Sequence, residues 1–152
     1  MRSGHNNPPE NINEVTNTIW NNGIKTVNIE YKPDENGDTV TESFNEEDGT
    51  LRAKTIQNEN KSIKQLFDDN QKLMQQIVYE NGINTIETYD ENENITTRQK
   101  GAVTEYFEND KVVKKETDKG NGVTETEEYE YDSEGNVSKT TTTKPDGTTV
   151  SD

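Results

Sequence analysis

The chain has no cysteine, one histidine and few apolar residues: 24% of its 152 positions are hydrophobic, about half the share of an ordinary soluble domain. Without cysteine there is no disulfide framework, thiolate metal site or thiol nucleophile. With His5 alone, the usual nucleophile–base pairs cannot be assembled, and the reading is non-enzymatic. So few apolar positions exclude a thick core, a membrane span and a long buried parallel sheet. The segment Met1–Glu10 has no apolar stretch, so no secretory signal is expected, and a cytoplasmic location follows unless the chain is part of a virion. Basic side chains are also scarce. Sixteen Lys and Arg stand against 31 Asp and Glu, a net charge of −15 spread along the whole chain. That charge repels phosphates and anionic lipid, so direct nucleic-acid binding and membrane insertion are not expected.

What is abundant is Thr (21) and Asn (20), set in short alternating runs between turn dipeptides. Asn36-Gly37, Asp48-Gly49, Asn81-Gly82, Asn121-Gly122, Gly135-Asn136 and Asp146-Gly147, with Asn22-Gly23, are the signals of tight hairpins, because Asn, Asp and Gly tolerate left-handed backbone. The runs between them alternate as strands do, for example Val27, Ile29, Tyr31 and Ile83, Thr85, Glu87, Tyr89. The expected fold is mostly β: an antiparallel meander of repeated hairpins forming a thin sheet. Two helices interrupt that expectation. Ile63, Leu66, Phe67 and Met74 recur at helical spacing and predict one short amphipathic helix near residues 61–74. Asn7-Pro8-Pro9-Glu10 reads as a helix start over residues 8–14, before a strand from about residue 16. The predicted organisation is a flexible or short-helical arm (1–15), a first meander (16–57), a helix (58–74) and a longer meander (75–150).

An internal repeat supports the hairpins. Ile19-Trp20-Asn21-Asn22-Gly23-Ile24-Lys25-Thr26-Val27 and Val78-Tyr79-Glu80-Asn81-Gly82-Ile83-Asn84-Thr85-Ile86 share an aromatic, Asn-Gly-Ile, Thr and a β-branched residue; a weaker copy starts at Asn121. Such units cannot bury a face singly and are stabilised by stacking on neighbours. Tyr131-Asp132-Ser133-Glu134-Gly135-Asn136-Val137 resembles the core of bacterial YD (RHS-type) repeats. Tyr89-Asp90-Glu91-Asn92-Glu93-Asn94-Ile95 is a degenerate copy with Glu93 where that core has Gly, and Tyr79-Glu80-Asn81-Gly82 is similar to MORN-like hairpins. The resemblance implies an extended hairpin-repeat sheet that presents or encloses something, with no catalytic residue. Separately, Gly4-His5-Asn6-Asn7-Pro8-Pro9-Glu10 resembles an N-terminal signature of small proteins from phages of alphaproteobacteria.

Three acidic turns (Asp34–Asn36–Asp38, Asp90–Asn92–Asn94 and Asp132–Glu134–Asn136) alternate oxygen ligands as calcium loops do. None has the sixth-position Gly of an EF-hand, so acidic hairpin turns are the simpler reading, and no cofactor is expected. The aromatic residues Trp20, Tyr79, Tyr89, Tyr129 and Tyr131 are the candidate interaction residues. The leading expectation is a structural or interaction protein that completes its core by self-association or on a protein partner, with a minor component of a phage particle as the most concrete setting. The alternatives are an acidic DNA mimic, suggested by the charge, and a calcium-stabilised extracellular module.

Overall fold

In a computed structural model, which describes residues 11–19 and 23–152, every regular element is a β-strand. The chain forms two compact units divided between Leu73 and Met74. The first holds β1 (Ile12–Ile19), β2 (Lys25–Tyr31), β3 (Thr39–Asn45), β4 (Leu51–Gln57) and β5 (Lys61–Phe67). The second holds β6 (Leu73–Glu80), β7 (Ile83–Tyr89), β8 (Ile95–Lys100), β9 (Val103–Glu108), β10 (Lys111–Gly120), β11 (Val123–Tyr131), β12 (Val137–Thr143) and β13 (Thr149–Ser151). Within each unit, strands that are neighbours in sequence pair antiparallel. This is the meander that alternation and turn signals imply.

The helix expected near residues 61–74 is absent. Lys61–Phe67 is β5, in register with β4 through Ile56↔Ile63 and Ala53↔Leu66. Residues 68–72 are a turn, and β6 starts at Leu73. The helical spacing of Ile63, Leu66, Phe67 and Met74 therefore spans two strands and a reversal. Pairing with β4 decides the outcome, since a seven-residue segment gains more from a ladder than from an isolated helix of two turns. The N-terminal helix fails likewise where the structure describes it: residues 12–14 open β1, while residues 8–10 lie outside the described residues.

Two kinds of reversal recur between the strands. Asn81-Gly82 and Asn109-Asp110 are two-residue loops with both φ angles positive (55° and 77°; 52° and 63°), the mirror-image turn that matches strand twist. The second kind is a five-residue turn that recurs at Asp34, Asp68, Asp90 and Asp132. In each, the Asp amide donates to the carbonyl four residues on, the fourth residue's amide donates back to the Asp carbonyl, and Oδ1 accepts from the amides at the third and fifth positions, at 2.8–3.0 Å. The turn at Lys144 has the same backbone bonds. There Asp146 instead takes the Thr148 amide and hydroxyl.

Neither unit has much interior. Among the described residues Ala53 is the one buried apolar side chain, beside buried Thr26, Asn45 and Arg52. Most strand residues are half-buried on both faces. The duplicated sequence unit is not an exact structural duplicate either: Val78 stands opposite Thr85, whereas Ile19 stands opposite Lys25, one residue out of step.

Candidate functional site

Register brings together residues that are seven to twelve positions apart in sequence. Across the second unit, Gln76, Glu87, Arg98, Glu105, Lys115 and Glu127 are successive cross-strand partners from β6 to β11. Directly opposed side chains project from the same face, so this is a row of alternating charge across six strands. Gln76 Nε2 donates to Glu87 Oε1 (3.1 Å) and Arg98 Nε to Glu87 Oε2 (2.9 Å). Arg98 reaches Glu105 at 3.7 Å, and Lys115 Nζ lies 3.1 Å from Glu127. Glu87 is the best enclosed of the charged members, its side chain 16% exposed. The first unit has a shorter version, Glu42–Lys54–Gln65 on β3, β4 and β5, where the Tyr31 hydroxyl donates to Glu42 at 2.8 Å.

Two residues along β7, β9 and β11 from the charged row stand aromatic side chains on the same face. Tyr89 donates its hydroxyl to Glu87 (3.1 Å), Phe107 lies under the Arg98 guanidinium (5.2 Å to the ring centroid), and Tyr129 follows Glu127. Tyr131, on the same face of β11, donates to the Val112 carbonyl and carries Lys111 over its ring at 5.2 Å. Exposed Met74, Ile83, Val123 and Val150 fall on this face too, and Val137 is opposite Tyr131. Three of the expected interaction residues, Tyr89, Tyr129 and Tyr131, thus share one face. Tyr79, 49% exposed, is on the other, and Trp20 lies outside the described residues. The charged row itself was not anticipated. Its signal was the spacing Gln76, Glu87, Arg98, two equal steps of one hairpin strand plus its turn.

The calcium-loop candidates Asp90, Asn92, Asn94, Asp132, Glu134 and Asn136 all lie in the five-residue turns. Asp90 and Asp132 turn Oδ1 inward onto two amides, while Asn92, Asn94, Glu134 and Asn136 contribute those amides. Among the described residues no three His, Cys, Asp or Glu side chains converge as a metal would require.

Nearby carboxylates and burial together set the titration of the phenols. Hydrogen bonds to Glu42 and Glu116 raise the pKa values of Tyr31 and Tyr106 above the ordinary phenol value; burial, then the nearby Glu87 and Glu127 carboxylates, raises Tyr89 and Tyr129. The Glu127 hydrogen bond raises Lys115. All five groups keep their protons to higher pH when folded than when unfolded, so the folded state binds more protons above about pH 10. Their contribution is complete below the unfolded values and is lost as pH rises through the folded ones. Thermal melts are therefore expected to hold steady into mildly alkaline buffer and then fall, with phenolate absorbance appearing later in folded than in urea-unfolded protein. Coincident phenolate curves for the two states would contradict this. At the acid end, bonds from Thr50 and Thr148 hold Asp48 and Asp146 below the usual carboxylate value, so their contribution is present above that value and is lost as pH falls through the lowered folded ones.

A family model described as Teneurin YD-shell matches residues 1–151, nearly the whole chain. No curated protein gives a significant match.

Proposed function

The chain belongs to the Teneurin YD-shell family, a structural β-repeat family that is in general non-enzymatic, and from that membership we propose that it acts as an interaction protein whose thin sheet is completed by self-association or by a protein partner. The carrying observation is the lack of interior: Ala53 is the one buried apolar side chain among the described residues, while Met74, Ile83, Val123 and Val137 remain exposed. A hairpin sheet needs further strands or a covering surface to bury its apolar face. The concrete setting we propose is a minor structural component of a phage particle, supported by the Gly4–Glu10 heptapeptide.

Size-exclusion chromatography with light scattering, at low and high salt, tests the reading, alongside co-sedimentation with phage particles. A salt-insensitive assembly or co-sedimentation is expected. A well-folded monomer that stays off particles overturns the proposal. The acidic-mimic alternative forecasts instead a compact monomer that loses its partner at moderate salt. A calcium module would gain thermal stability in millimolar calcium; no gain is expected here, because Asp90 and Asp132 already serve backbone amides.

A further inference from the structure

We propose that β1 is a self-pairing edge, and that two copies of this chain join antiparallel through it to form a closed dimer. The proposal rests on the self-association reading above and gives it a place on the chain. Among the described residues β1 pairs with β2 alone. The Thr18 carbonyl accepts the Thr26 hydroxyl (3.2 Å) and therefore faces β2, and the Lys25 carbonyl accepts the Glu46 amide (2.8 Å) and faces β3. Backbone groups alternate sides along a strand, so Thr16 and Thr18 use theirs on β2, whereas Val15, Asn17 and Ile19 point their amides and carbonyls outward.

The side chains suit a second copy. Val15 and Ile19 are 54% and 71% exposed. A two-fold axis perpendicular to the sheet at Asn17 keeps each face on its own side and sets Val15 opposite Ile19 twice, with Asn17 opposite itself. The outward groups of Val15, Asn17 and Ile19 then form about six interchain hydrogen bonds. Within the pairing strands no like charges meet: Glu14 is the one charged residue of 11–19, and it ends about 20 Å along the strand from its copy. β1 also lacks the Lys and Pro that commonly protect an edge. The other terminal strand, β13, is three residues long and follows Pro145, which gives a second copy little to pair with.

The absence of cysteine makes the test clean. Wild-type protein is expected at twice the 17.3 kDa chain mass by light scattering. Val15→Lys, at an exposed side chain, and Asn17→Pro, at an outward amide, are each expected to weaken the dimer tenfold or more while the β-strand circular dichroism of the chain is retained. Asn17→Cys should cross-link in oxidised glutathione, two thiols giving one disulfide and two reduced glutathiones, since opposed Cα atoms at about 5.5 Å suit a disulfide; Glu14→Cys should give the glutathione mixed disulfide and no cross-link. A dimer that persists in Val15→Lys, with no cross-link in Asn17→Cys, overturns the β1 edge while leaving self-association standing. A wild-type monomer overturns the edge too, and the interaction reading is then decided separately by co-sedimentation.

Discussion

Replacing Glu87 with alanine is expected to destabilise the second unit by about 2–3 kcal/mol, the cost of removing a well-enclosed charged acceptor from several donors. Glu87 is 16% exposed and receives Gln76, Arg98 and the Tyr89 hydroxyl. Without it, Arg98 keeps only the longer approach to Glu105 and its place over Phe107. Arg98→Ala should cost less, about 1 kcal/mol, because the guanidinium is 39% exposed and its loss leaves Glu87 with two donors. In the double variant the two effects should fall short of their sum by about 0.5–1 kcal/mol, as for residues in direct contact. Lys115→Ala, whose pair with Glu127 is more open, should cost about 0.5 kcal/mol. Urea unfolding measures all four; the midpoints should move with the slope unchanged. A Glu87→Ala midpoint equal to wild type would remove the charged row from the account of this fold.

The weight given to one carboxylate follows from how little else there is to bury. It also explains what the sequence showed and what it withheld. Glu87 was visible on a strand face with Ile83, Thr85 and Tyr89, because alternation is local. Its partners Gln76 and Arg98 were not, because each is eleven residues away and reaches it only through the register of two hairpins. The Asn-Gly loops were legible for a local reason as well: Asn81 and Gly82 need positive φ and are residue types that allow it. The false helix arose where that chemistry is disguised. Gln71 holds φ of 61° at the turn position that Gly37 and Gly135 occupy elsewhere, so the reversal lacked its glycine. The missed signal was Phe67-Asp68 with Asn70, an aromatic–Asp–x–Asn that matches Tyr89-Asp90 with Asn92. Comparing those turns with one another would have split the predicted helix into two strands.

The same comparison yields opposite effects at two positions of one turn. Asp132→Ala removes the Oδ1 that caps the amides of Glu134 and Asn136 and is expected to cost about 1–2 kcal/mol, as for loss of a helix-capping carboxylate. Asp90→Ala removes the equivalent cap from Asn92 and Asn94 and should cost as much. The two turns share no hydrogen-bond partner, so their effects should add. Asp→Asn at either site keeps an acceptor oxygen and should recover most of the loss. Glu93→Gly should act the other way. Glu93 sits at φ 64°, a left-handed conformation that costs a residue with Cβ about 1 kcal/mol and glycine almost nothing. Its backbone role, donating an amide to the Asp90 carbonyl at 2.9 Å, survives the exchange. Glycine there also has more freedom to lose on folding, which offsets part of the gain, so a net stabilisation of about 0.5 kcal/mol is expected. Gln71→Gly makes the contrast, because the Gln71 side chain also accepts the Leu51 amide at 2.9 Å and its removal should cancel the relief of strain. A higher urea midpoint for Glu93→Gly with no rise for Gln71→Gly would show that the turns share one backbone and differ only in the side-chain work assigned to their fourth residue; equal shifts in the two would refute it.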